Sequence, residues 1–181
     1  YLLVSRRTIA GPLLESLCWI PHVLPGILLS LGVLWLFLAT PLRFFLYGSV
    51  WGIAVALILA DSPVTTQAFK AGLLQLGGDL EEAARVSGAS WRYTYRRVLL
   101  PLLAPIAAAV GLMNFGSALT SISTPVLLYS HQSRPLAILL LEYSFTGELE
   151  RAAALGLLIT VIIGVMMLVG RKLGLQLAGS D

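Results

Sequence analysis

Residues 77–120, GGDLEEAARVSGASWRYTYRRVLLPLLAPIAAAVGLMNFGSALT, change character halfway along. Up to Arg97 the run is charged and rich in turn residues; from Val98 no Asp, Glu, Lys or Arg occurs until Arg134. About 20 consecutive apolar residues cross the hydrocarbon core of a bilayer as a helix, so the second half predicts a span over 98–120. The first half reads as two short helices joined by an elbow. Asp79 can cap the first, and Glu82, three residues on, completes a capping box. Leu80, Ala83, Ala84 and Ser87 then share one face at helical spacing. Gly88 suits the left-handed turn that ends a helix. Ser90 can cap the second helix, whose Trp91, Tyr93, Tyr95 and arginines suit a membrane–water boundary. Pro101 and Pro105 fall near the start of the span, where missing amide donors cost least.

Working outward, the same pattern recurs. Ser16 to Leu42 carries no Asp, Glu, Lys or Arg and predicts a first complete span over about 17–38, with Pro21, Pro25, Gly26 and Gly32 inside it. Membrane helices tolerate such residues where neighbours satisfy the freed backbone groups. A second span is expected over about 46–69, interrupted by Asp61 and Pro63, and a fourth over about 151–170. Pro135 to Leu141 is apolar but too short to cross, and reads as an interfacial or re-entrant helix. Composition agrees: 57% of the chain is hydrophobic and 12% charged, with mean hydropathy +0.88, against about 25% charged residues in soluble domains. The expected fold is an all-α membrane protein, a polytopic helix bundle of about four complete spans.

Positive charge sets the expected orientation. Four spans put Arg6, Arg7, Lys70, Arg85, Arg92, Arg96, Arg97, Arg171 and Lys172 on one side, nine of the twelve Lys and Arg residues. Arg43, Arg134 and Arg151 fall on the other. The loop 70–97 is therefore expected in the cytoplasm and the segment 121–149 outside. The net charge of +3 has the same origin, and nucleic-acid binding is not expected. The chain opens Tyr-Leu-Leu-Val-Ser-Arg-Arg, which reads as the tail of a helix closed by two arginines. We therefore expect residues 1–181 to be one transmembrane unit truncated at its N-terminus.

Glu82-Ala83-Ala84, three residues, Gly88, nine residues, then Val98-Leu99-Leu100-Pro101 resembles the EAA loop of the permease subunits of type I ABC importers. There the pattern is E-A-A-x-x-x-G, nine residues, I-x-L-P. Val98 in place of Ile is the one departure and nearly conserves volume. Seven constrained positions at fixed spacing arise by chance at on the order of one in a hundred thousand, given ordinary residue usage. The resemblance extends to the order of spans, and is closest to the ferric-iron-type branch, whose members often carry two tandem copies of this unit. It implies a bacterial inner-membrane permease, dependent on an extracytoplasmic solute-binding protein. A second permease half or tandem copy would complete the pathway, and a cytoplasmic ATPase dimer would bind the ATP. It further implies that Glu82, Ala83, Ala84, Arg85 and Gly88 form a coupling helix and elbow docked on the ATPase, with Val98, Leu100 and Pro101 leading into the span. The chain itself has no G-x-x-x-x-G-K-[ST] loop to cradle phosphates, so no enzyme activity or bound cofactor is expected of it.

Other residues carry weaker signals. Asp61 is ionisable within a span, a default functional candidate, but by the expected boundaries it lies near the cytoplasmic end beside Pro63; gating and a solvated kink are both open. Asn114, Ser117, Thr120 and Ser121 fall on or near one face, and could line a pathway or hold helices together. Cys18 stands alone in an apolar stretch, as a small buried hydrophobe does. His22 and His131 lack ligand-spaced partners, so no metal site is expected. Glu150-Arg-Ala-Ala-Ala-Leu-Gly156 echoes the coupling motif without the downstream Leu-x-Pro, and reads as the start of a span. A secondary transporter is the competing class, since it also uses broken helices, but it would need charged coupling-ion residues near mid-membrane and only Asp61 comes close.

Overall fold

The structure is a computed structural model that describes residues 10–75, 88 and 90–172, with the side chains of 10–15, 91 and 172 excepted. All its regular elements are helical. Helix α1 spans Ala10–Val23, α2 Gly26–Ala39, α3 Arg43–Leu46 and α4 Val50–Gln75. Further along the chain come α5 (Trp91–Thr94), a π-helical turn (Tyr95–Leu99) and α6 (Leu100–Thr120). A 3-10 turn at Pro125–Leu127, α7 (Leu136–Phe145) and α8 (Leu149–Lys172) complete the chain. Val50–Gln75, Arg92–Thr120 and Leu149–Arg171 are each long and apolar enough to cross a bilayer. Their apolar side chains point mostly outward: Leu157 is 66% exposed, Trp51 74% and Ile58 69%. Exposed apolar surface on this scale belongs in lipid, where it carries no penalty from water.

The structure adds detail to the expected spans in three places. First, the 17–38 stretch, expected to carry proline and glycine breaks, is sharply bent: Ser16–Val23 and Gly26–Ala39 meet at 110°. Pro25 drives Leu24 out of helical geometry, and its own ψ of 137° starts a new direction. The Pro25 carbonyl then accepts the Leu28 and Leu29 amides at 2.8 and 3.1 Å, so the break also caps α2. The bend seats Gly26 against Ser123, whose Oγ would overlap any Cβ there.

Second, Asp61 and Pro63 do not interrupt α4, which runs unbroken for 26 residues, about 39 Å. Pro63 removes the amide that would bond the Leu59 carbonyl. The Ser62 hydroxyl donates to that carbonyl instead, at 2.8 Å. Third, the helix that carries the span expected over 98–120 begins earlier, because α5, the π turn and α6 form one continuous rod. Pro101 can neither donate to the Arg97 carbonyl nor sit comfortably against it. The helix widens by one residue there, with the Leu100 amide reaching the Tyr95 carbonyl. The expected separate second helix is thus the first two turns of that rod.

The core gathers where α2, α4 and the segment after α6 meet: Val33, Phe37, Ile53, Ala56 and Leu128, with Leu34, Leu46, Leu57 and Tyr129 around them. α4 packs on α6 through Gly72, where a Cβ would overlap the Ile106 side chain. The short apolar helix expected around Pro135 is α7, ten residues with Pro135 at its N-cap. At about 15 Å it cannot cross, and it folds back along α8 with Ala137 and Ile138 buried. The Glu150 echo lies in the first turn of α8.

Candidate coupling segment and polar contacts

Gly88 has φ +73°, the left-handed conformation its position in the pattern calls for. A Cβ built there would meet nothing within 4 Å, so the requirement is on the backbone and not on space. Two residues on, Ser90 caps the helix: its Oγ accepts the Tyr93 amide at 3.4 Å, and its carbonyl accepts the Tyr93 and Thr94 amides at 2.9 and 3.0 Å. Val98 is half-buried, Leu99 buried, and Leu100 and Pro101 exposed, all within the first turns of the rod. Glu82, Ala83, Ala84 and Arg85, together with the capping box at Asp79, lie outside the described residues.

The candidate pathway residues are only partly brought together. Asp61 sits eleven residues from Val50 and fourteen from Gln75, in the middle of α4 and not near its end. One turn on, Thr65 Oγ1 accepts a hydrogen bond from Asn114 Nδ2 of α6 at 2.9 Å. That bond joins α4 to α6 one turn from Asp61. The sequence does not single out Thr65; it is four residues from Asp61, the spacing of one helix face, and that is the available signal. Ser117 belongs elsewhere: with Met113, Gly116 and Thr120 it lines an apolar groove between α6 and α8 that also holds Met166 and Met167, about 270 Å³ in volume. Ser121 ends α6, its amide bonded to the Ser117 carbonyl at 2.9 Å.

A second polar cluster, not foreseen, fixes the segment expected outside the membrane. Gly48, at φ +69°, presents its carbonyl to Ser130 Oγ at 2.6 Å and Ser133 Oγ at 2.9 Å. Arg134 pairs with Glu142 at 3.0 Å and also contacts His131, while the Tyr129 hydroxyl donates to Glu142 at 3.3 Å. These bonds tie the loop after α6 to the α3–α4 turn and to α7.

The family described as "Binding-protein-dependent transport system inner membrane component" matches residues 2–174. The chain belongs to this family. Several permeases are similar to it. A probable ABC transporter permease protein, y4fN, of Sinorhizobium fredii is 29% identical over 167 residues, covering 88% of this chain and 29% of that protein. The putative 2-aminoethylphosphonate transport system permease protein PhnV of Salmonella paratyphi A is 25% identical, covering 89% of this chain and 62% of that protein. The Fe(3+)-transport system permease protein FbpB 2 of Haemophilus influenzae is 21% identical, with 88% and 31% covered. The chain therefore spans between about three tenths and six tenths of the length of these relatives. As a member of the inner-membrane component family with several apolar helices, it is a multi-pass inner-membrane permease chain.

Proposed function

We propose that this chain forms part of the pathway of an ATP-driven importer, and that residues 77–101 couple it to a cytoplasmic ATPase dimer. The observation that carries this reading is Gly88: the EAA-type pattern from Glu82 to Pro101 requires an elbow there, and its φ of +73° supplies one. The elbow joins the docking residues to a rod that runs without interruption from Trp91 to Thr120. Movement imposed on the docking end therefore tilts a whole span. A continuous helix transmits such a tilt; a flexible joint at residue 98 would not. The shared family supports an extracytoplasmic solute-binding protein as the source of solute; in this reading a second permease half or tandem copy forms the other wall of the pathway. The names of two relatives favour a small charged solute of the 2-aminoethylphosphonate or ferric type. In this reading 70–97 is cytoplasmic and 121–149 external, as the charge distribution requires.

Ala83 and Ala84 leave room for close approach of a partner, so bulk on that face should break docking. In the full-length permease, Ala84→Trp should lose the ATPase in a pull-down at matched membrane levels, and lose uptake. Arg85→Ala should retain both, since it adds no bulk to that face. An Ala84→Trp permease that keeps its ATPase and its transport would rule out docking through this face.

A further inference from the structure

We propose that the cytoplasmic-side end of the Arg92–Thr120 rod carries a binding site for the phosphodiester headgroup of an anionic phospholipid. Ser90, Arg92, Tyr93, Arg96 and Arg97 line an open depression of about 590 Å³. Its three arginines are exposed, and among the described residues no carboxylate pairs with any of them. Guanidinium groups bind phosphate oxygens in bidentate fashion, and the Ser90 and Tyr93 hydroxyls add neutral donors. Like charges gathered in one cavity repel one another, so an anion seated among them removes a cost as well as adding contacts.

The chemistry around the cavity selects an amphiphile. Leu100 and Leu102 follow one to two turns further along the same rod and are 50% and 42% exposed. A ligand with its phosphate among the arginines would lay its acyl chain along these leucines. Tyr93, 58% exposed, has the amphipathic ring favoured at the level of headgroups. A basic pocket beside a span, just outside the hydrocarbon, is the arrangement that recognises anionic headgroups. The site extends about 10 Å along the helix from Ser90, at 1.5 Å per residue; it lies within the 77–101 segment but beyond Glu82 to Gly88, the residues that the coupling reading docks on the ATPase.

The inference rests on the rod being a membrane span and not on ATPase docking, so the two can fail separately. The test uses the full-length permease in phosphatidylcholine nanodiscs doped with phosphatidylglycerol, then released and stripped stepwise while retained lipids are counted by native mass spectrometry. Wild type should keep phosphatidylglycerol after phosphatidylcholine has gone. Each of Arg92→Gln, Arg96→Gln and Arg97→Gln should weaken retention about fivefold, the effect of one basic residue near an anionic surface, and the triple variant should abolish the preference. Arg171→Gln, at the end of α8, should leave it intact. Equal loss of both lipids from wild type overturns the proposal without any variant. Displacement of phosphatidylglycerol by excess inorganic phosphate, with no requirement for an acyl chain, overturns the lipid as the source. Unchanged lipid retention in a triple variant that has lost its ATPase reassigns the cavity to a protein contact, and overturns it too.

Discussion

Substituting Gly88 separates a backbone requirement from a steric one. At φ +73° an L-residue is disfavoured by about 1–2 kcal/mol relative to glycine, a factor of about 5–30 in the population of the elbow. Because a Cβ would meet nothing within 4 Å, no packing term within the described residues adds to that figure. Asparagine visits the left-handed region several-fold more often than other residues with side chains, and a β-branched residue hardly at all. The expected order for ATPase retention and uptake is therefore wild type, then Gly88→Asn, then Gly88→Ala, then Gly88→Val. Asparagine is larger than alanine, so a steric requirement from a docked partner would reverse the middle pair. The assay is co-purification of the ATPase with each full-length variant at matched membrane levels. Initial uptake rates at two ATPase expression levels accompany it, since a weakened elbow is partly restored by mass action. Gly88→Asn performing worse than Gly88→Ala, or Gly88→Val matching wild type, would refute the reasoning.

Cysteines introduced at Ser87 and Gln132 in a Cys18→Ser background should label from opposite sides of the membrane; labelling from one side would overturn the topology. Gly72→Leu should overlap Ile106 and destabilise the α4–α6 contact by about 1–3 kcal/mol, seen as a lower detergent-unfolding midpoint, with Ile106→Ala restoring part of the loss. Asn114→Ala removes the bond to Thr65, worth only about 0.6 kcal/mol by the average for such bonds in membranes. Stability should hardly change, and a severe loss of uptake at normal stability would assign Asn114 to the pathway in place of a packing role. Ser62→Ala strips the Leu59 carbonyl of its donor beside Pro63, so α4 should lose stability by about 1 kcal/mol, with Ser62→Thr retaining it.

Much of the molecule was legible in the sequence because hydrophobicity and charge act over tens of residues. The uncharged windows located the membrane helices, the short apolar stretch located α7, and Ser90 and Gly88 declared a cap and an elbow through requirements local to one or two residues. Such signals need no partner to be read. The boundaries were less legible, since whether a proline ends a helix depends on what replaces its lost hydrogen bond. At Pro63 a neighbouring serine does so and the helix continues; at Pro101 the turn widens and the rod continues; at Pro25 the chain turns by 110°.

The composition alone determined that this chain belongs in a membrane, and the run from Glu82 to Pro101 carried its resemblance to importer permeases, while the family itself is shown by the match over residues 2–174. Only the tertiary structure decided which polar residues meet. Asn114 and Ser117 lie three apart in sequence, yet one bonds Thr65 across to α4 and the other faces the groove toward α8. Periodicity assigns a residue to a face of its own helix, but the neighbour on that face follows from how helices cross. That crossing is set by close contacts such as Gly72 against Ile106 and Gly26 against Ser123, between residues separated by tens of positions along the chain.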